Sequence, residues 1–343
     1  MQKAITFGIP CYNSADYMDN CITSILKGSE YADDVHIVIV DDGSTDKTPA
    51  KVDEWHAAYP DTIDVVHQAN GGHGMAVLSG LKAAKGTYYK VVDSDDWLDA
   101  AALRDLLALI RDLDATDTRV DLIITNYVYE HVEDDTRNAV GYHGTLPQGK
   151  VMGWDDIGHF SLQQNLLMHS LCYRTDVLRG GALPLPPHTF YVDNIYAYVP
   201  LPWCETLYYL DVDLYRYFIG REDQSVNEQV MAGRIDQQIR ITRIMMHAYH
   251  LYDDIESSKL RSYMVQYFVL MMAICSIFSK ISDSPEAADN LRALWLELKN
   301  YDHRMYRRAR RGMVGTATNL PGETGTKVTL GIYHIAQKVG KFN

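Results

Sequence analysis

The sequence predicts an α/β protein: a mostly parallel sheet flanked by helices, followed by a helical domain. Three observations carry that reading. Strand-like and helix-like runs alternate through the first hundred residues. Clusters of Asp, Ser and Asn stand directly after several of the strand-like runs. From about Glu228 onward the text is helical and rich in Met and Tyr. Repeated βα units imply parallel strands joined by crossover helices on both faces.

The elements follow in order. "AITFGIP" is a short apolar strand. "SADYMDNCITSILKGS" puts Tyr17, Cys21, Ile22 and Ile25 on one helical face, with Ser14 as its N-cap. "DVHIVIVDDGSTDKT" is a β-branched strand that breaks at Asp41-Asp42-Gly43-Ser44, and "PAKVDEWHAAY" is a helix with Pro49 in its first turn. "IDVVHQ" is the third strand, "NGGHG" a turn, "MAVLSGLKAAKG" a helix ending at Gly86, and "TYYKVVDSDDW" the fourth strand. A helix "ALRDLLALIRDL" and an apolar strand "VDLIITNYVYEH" come next. Glu133–Pro147 reads as a hairpin or loop, and Val151–Tyr217 is mixed, with a loop at Leu183–Phe190. The chain is therefore expected to hold a catalytic domain over 1–226, with a donor half to about 100 and an acceptor half over 101–226. A helical domain over 227–343 would follow, in which "GMVGTATNLPGETG" is a linker before a weakly amphipathic basic tail.

The 343 residues carry 32 Lys and Arg against 45 Asp and Glu, a formal net charge of −13. Such a surface repels phosphate backbones, which argues against nucleic acid as a partner. A nucleotide-bearing small molecule stays open if a metal ion bridges the two negative partners. Five cysteines with no CxxC spacing argue against a disulfide framework or zinc site and for a reducing compartment. The N-terminus enters a strand-like run without an apolar leader, so the expected location is cytoplasmic. Tyr263–Phe278 is shorter than the ~20 apolar residues of a membrane span and contains Gln266, so it reads as a buried helix.

In an open parallel sheet, ligands bind outside the carboxyl ends of the strands. "PCYN", "DDGS" and "DSDDW" would converge there. Like charges ~4 Å apart repel by roughly 1 kcal/mol even in water, so three aspartates in four residues need a reason. A hard divalent cation, Mg²⁺ or Mn²⁺, supplies one. Asp93 and Asp95, two apart on an extended segment, point the same way and would share it. The alternative is that the cluster caps the helix beginning near Leu98. "DDGSTDKT" is equally readable as a polar turn, with Gly43 at positive φ and Ser44 or Asp46 capping the next helix. Phospho-acceptor receiver domains also carry an acid pair after a strand, but they are far shorter than this chain.

Together, "ITFGIPCYN", "IVIVDDGSTDKT", "NGG" with "GLKAAKG", and "VVDSDDW" resemble the motif series of family 2 glycosyltransferases, over roughly residues 4–230. The resemblance implies the GT-A fold and a metal-assisted, inverting transfer from a UDP-sugar to a hydroxyl acceptor: a glycan, a lipid-linked oligosaccharide or a cell-wall polymer. It implies that Pro10, Tyr12 and Asn13 line the nucleotide pocket, that Asp42 accepts a hydrogen bond from uracil, and that Asn70 lies against the nucleotide. Asp93 and Ser94 would sit near the ribose, and Asp95 would hold Mn²⁺ or Mg²⁺ on the diphosphate. The family's general base comes from a later Glu-Asp motif. Here "YVDNIY" keeps the Asp as Asp193 and has Val192 in place of Glu, and the aromatic surroundings would raise the Asp193 pKa.

Other departures and open points remain. Val77 and Leu78 stand where many members have Arg-Asn. His73 either contacts the diphosphate or sugar or is a surface turn residue. Arg221 and Ser225, in "GREDQSV", either touch the diphosphate or, for Arg221, pair with Glu222 or Asp223. The Met/Tyr-rich helices read as core, with a homo-oligomer interface as the alternative use. Arg304–Arg311 is a solvated helix face or a site for anionic lipid headgroups, which would place the protein at the inner face of a membrane. Two rival functions are a sugar nucleotidyltransferase, whose Gly-rich, Arg-containing loop is missing after the first strand, and a nucleotide-sugar-binding scaffold without turnover. A nicotinamide dehydrogenase would carry G-x-G-x-x-G at the same point, where this chain has "PCYNSADY".

Overall fold

A computed structural model describes residues 3–28, 33–131, 136–220 and 228–340. The chain divides into two compact units, Met1–Gly158 with Leu166–Gly220, and His159–Asn165 with Arg221–Asn343. The second unit thus takes in His159–Asn165, which the sequence reading left in the first.

The first unit runs β1 (Lys3–Cys11), α1 (Met18–Gly28), β2 (Val35–Asp41), α2 (Thr48–Ala58), β3 (Ile63–His67), α3 (His73–Ala83), β4 (Gly86–Val91), β5 (Trp97–Leu98), α4 (Ala100–Ala115), β6 (Leu122–His131), β7 (Thr136–Val140), β8 (Val151–Met152), β9 (Leu171–Arg174), α5 (Thr175–Gly180), α6 (Asp193–Tyr198) and β10 (Leu207–Ile219). The sheet order is β3-β2-β1-β4-β9-β6-β10-β5. The first four strands are parallel, with Gly8 of β1 paired to Val38 and Val91. β9 runs antiparallel between β4 and β6, and β10 is parallel to β6. Every residue of β2 is buried, as expected of a β-branched strand covered on both faces. On one face α1 and α4 bury Cys21, Ile22, Ile25, Leu103, Leu106 and Ile110 against β1 and β2. On the other, Ala76 of α3 meets Val38 and Val40. The result is the predicted α/β architecture, in which the ends of β1, β2 and β4 lie side by side.

Several local expectations change. Ser14 is not the cap of α1, which starts at Met18: its hydroxyl faces Ser94 instead, 2.8 Å away. Tyr17 is 41% exposed and leaves the apolar face to Cys21, Ile22 and Ile25. Gly86 does not end the preceding helix. It opens β4, where a side chain would run into the backbone of Ile5. The cap of α4 is Asp99, which accepts the N–H groups of Ala101 and Ala102. Capping therefore does not account for Asp93, Asp95 and Asp96.

In the second unit the described residues form α7 (Glu228–Gly233), α8 (Ile235–Ala248), α9 (Leu251–Asp254), α10 (Ser258–Ile281), α11 (Ala287–Tyr301), α12 (His303–Arg311), α13 (Met313–Thr318) and α14 (Gly322–Gly340). Among the described residues, α10 is the one helix long and apolar enough to cross a membrane, and 61% of its apolar window is buried. Gln266 donates to the Phe160 carbonyl at 3.2 Å, and the Phe160 ring sits 4.4 Å from that of Tyr263. These contacts tie His159–Asn165 to this unit. The expected linker after Arg311 is helical: α13 begins at Met313, and the Asn319 amide closes it by donating to the Gly315 carbonyl.

Candidate active site

The strand-end clusters are bound to one another by hydrogen bonds. Asn13 adopts φ 52°, a left-handed conformation that Asn tolerates. Its N–H donates to the Ser44 hydroxyl at 3.0 Å, and its carbonyl oxygen Oδ1 accepts the Thr45 N–H at 2.9 Å. The Ser14 N–H donates to Thr48 Oγ1, while Ser14 Oγ meets Ser94 Oγ at 2.8 Å. The loops after β1, β2 and β4 thus form one surface. Tyr12 stands on it, 53% exposed, and Pro10 is buried beneath it in β1.

Asp42, expected to face a base, is 2% exposed. Its oxygens accept the Gln68 amide at 2.6 Å, the Gly71 N–H at 2.8 Å and the Gly72 N–H at 2.7 Å. Its observed work is to hold the "NGG" turn. Gly43 has φ 72°, and a Cβ there would lie 2.7 Å from the Asn70 nitrogen, so only glycine lets exposed Asn70 close over the turn. Gly72, at φ 84°, opens α3 and packs equally closely on the His188 backbone. The His188 N–H donates to the Gly71 carbonyl at 2.7 Å. This contact docks the loop ahead of α6 onto the turn.

His73, the first residue of α3, meets Asp93 through Nε2 at 2.8 Å. Burial alone would lower the His73 pKa, but Asp93, with Asp193 and Asp95, outweighs it and raises it. For Asp93 burial works upward, and His73, in contact, then His169 pull the pKa below the usual carboxylate range. Asp193 opens α6 just after the N-cap residue Val192, and its Oδ1 accepts the Asn194 side-chain amide at 3.4 Å. Burial pushes its carboxyl up to about 6; His73 pulls down and Asp93 pushes up. The upward push comes from burial with a neighbouring carboxylate. Tyr191, two residues earlier, sits at φ 65°, a strained position for a residue with a side chain.

Below this surface lie residues to which the sequence assigned no role. Asp96 is fully buried; it accepts the Tyr215 hydroxyl at 2.5 Å and the Phe218 N–H at 2.9 Å. Burial, then Asp95 and Asp93, pushes its carboxyl well above the usual range. The His169 ring stacks on Tyr215 at 4.5 Å. Lys90, also fully buried, donates to the His169 carbonyl at 2.6 Å, and burial pushes its ammonium down to about 8. Ligand atoms of Asp93, Asp96 and His169 all lie within 4.8 Å of one another, a donor set that fits a divalent ion. Asp95 is half-buried at the same corner but lies outside that trio. Asp96 stood in the acidic run without an assigned role. His169 lies in "LMHSLCY", where nothing in the pattern marks it; only the pairing of β9 with β4 carries it across. Arg221 and Ser225 lie outside the described residues.

Residues 6–174 match the family model described as Glycosyl transferase family 2. A Bacillus subtilis protein named as the uncharacterized glycosyltransferase EpsJ is 38% identical over 106 residues, 31% of this chain and 30% of the relative. The chain thus matches about a third of that relative's length. The crystal structure of S. aureus TarS 1–349 in complex with UDP-GlcNAc superposes with a TM-score of 0.67 at 17% identity, covering 97% of this chain and 92% of that one. The mannosyltransferase PcManGT of Pyrobaculum calidifontis, in complex with GDP-Man and Mn²⁺, does so at 0.51 and 15% identity over 100% and 89%. These similarities give the first unit the GT-A fold. The strand-end motifs lie within the span matched by the model, and on that match residues 6–174 belong to glycosyl transferase family 2.

Proposed function

We propose that the chain is an inverting glycosyltransferase that moves a sugar from a UDP-sugar to a hydroxyl acceptor. The observation that carries this reading is the meeting of Asp193, His73 and Asp93 beside the surface formed by the loops after β1, β2 and β4. The donor nucleotide lies across that surface, between Pro10, Tyr12, Asn13, Asn70 and Ser94. Asp42 shapes the turn beneath it. The UDP-GlcNAc complex of TarS, which has the same fold, favours a uridine donor. His73, at the N-terminus of an 11-residue helix, offers positive charge to the diphosphate. Arg221 and Ser225 are proposed partners of the same group.

Asp193 takes the proton of the acceptor hydroxyl while its oxygen bonds to the anomeric carbon. The bond from that carbon to the phosphate oxygen breaks on the opposite face, so the configuration inverts and UDP leaves. Asp93 and Asp95 would hold Mn²⁺ or Mg²⁺, and the Mn²⁺ of PcManGT supports that choice. When bound, the ion offsets the negative charge that develops on the leaving diphosphate. The fixed loops supply orientation, which accounts for much of such a rate. The acceptor is a glycan, lipid-linked oligosaccharide or polymer hydroxyl. Exposed Arg307, Arg308 and Arg311 on α12 have no ion-pair partner among the described residues, which favours contact with anionic lipid at the cytoplasmic face. The five free, buried cysteines agree with a reducing compartment.

The test is Asp193→Asn, assayed for UDP released from labelled UDP-sugars and for UDP binding by calorimetry. Binding should persist and transfer should vanish. Retained turnover would remove Asp193 from the role of base.

A further inference from the structure

We infer that His169 is the nitrogen ligand of the cation seat and biases that seat toward a transition ion such as Mn²⁺ over Mg²⁺. The inference rests on the metal-assisted reading above and adds a ligand that lies outside the strand-end motifs. A His169 ring nitrogen and the Asp93 and Asp96 oxygens lie within 4.8 Å of one another. Independently, His169 is only 7% exposed and its Nδ1 is buried without a hydrogen-bond partner. Buried polar atoms are nearly always partnered, and an unmet one costs roughly 1–3 kcal/mol. A cation among the three groups would remove the mutual repulsion of the carboxylates and join the imidazole to its neighbours.

The ring is also held in place. Tyr215 lies 4.5 Å from it and Tyr217 4.6 Å, and the His169 carbonyl is fixed by Lys90. The bonds to Asp96 from Tyr215 and Phe218 orient that carboxylate, as the partners of a ligating group do. Mg²⁺ demands near-ideal octahedral oxygen coordination, whereas imidazole suits transition ions. A buried imidazole therefore counts against Mg²⁺.

The experiment is Mn²⁺ titration of the full chain, with and without UDP, followed by electron paramagnetic resonance. Pulsed spectra of the unaltered protein should show ¹⁴N coupling from a directly bound imidazole. In His169→Gln that coupling should vanish, Mn²⁺ should bind about tenfold more weakly or worse, and the preference for Mn²⁺ over Mg²⁺ should shrink. Because the His73 imidazole also meets Asp93, the coupling should persist in His73→Gln, and coupling lost there but kept in His169→Gln would overturn the role of His169. Bound Mn²⁺ without nitrogen coupling would overturn the role of His169 while leaving the metal-assisted reading intact. No Mn²⁺ binding even with UDP would overturn both.

Discussion

Asp193 carries the most direct prediction at the scale of single residues. A base works deprotonated, so a carboxyl pushed up to about 6 begins to lose its function at a higher pH than an ordinary aspartate. kcat/KM should fall below pH about 6, by roughly tenfold per unit once protonation dominates, and a pH profile checks it. A profile flat down to pH 4.5 would contradict the assignment. The role proposed for Asp193 comes from its motif, which keeps the Asp and has Val192 in place of Glu. Asp42 was legible as important, but not in its observed contacts, since no sequence pattern states that three donors of the next turn converge on it. His169 was invisible for a similar reason: its neighbours come from β4 and β10, far away in the chain.

At the scale of elements, local chemistry and tertiary contact compete, and each loop records which one prevailed. Ser14 reads as a cap, yet Ser94 and Thr48 engage it instead, because the loops after β1, β2 and β4 are packed together. Asp99 prevails as the cap of α4 over the aspartates preceding it. Asp99→Ala should cost about 1 kcal/mol of stability, read from the denaturant midpoint, and should leave UDP affinity nearly unchanged. A comparable loss from Asp95→Ala would show that the acidic run is structural after all. Gly43→Ala should be worse than either, since it combines a positive φ with the close approach of Asn70. Calorimetry should find UDP binding weakened along with stability. The βα alternation of the first four strands was readable from periodicity. The antiparallel insertion of β9 between β4 and β6 was not, because its four residues carry no distinctive pattern.

Across the whole molecule, charge sets the expectations. A chain of net charge −13 that places Arg304, Arg307, Arg308, Arg310 and Arg311 on one short helix has concentrated its positive charge. Co-sedimentation with phosphatidylserine vesicles should exceed that with neutral vesicles and fall with salt. Charge reversal at Arg307 and Arg311 should abolish the difference without altering turnover on a soluble acceptor. On the metal-assisted reading proposed above, nucleotide binding to so acidic a chain depends on a cation, so EDTA should weaken UDP binding by calorimetry. The central claim is that the corner after β4 seats that cation under a nucleotide diphosphate. A crystal grown with UDP and Mn²⁺ tests it most directly: the account predicts an anomalous manganese peak against Asp93 or Asp95 with the nucleotide along the ends of β1, β2 and β4. Well-ordered nucleotide elsewhere, with no manganese at that corner, would contradict it.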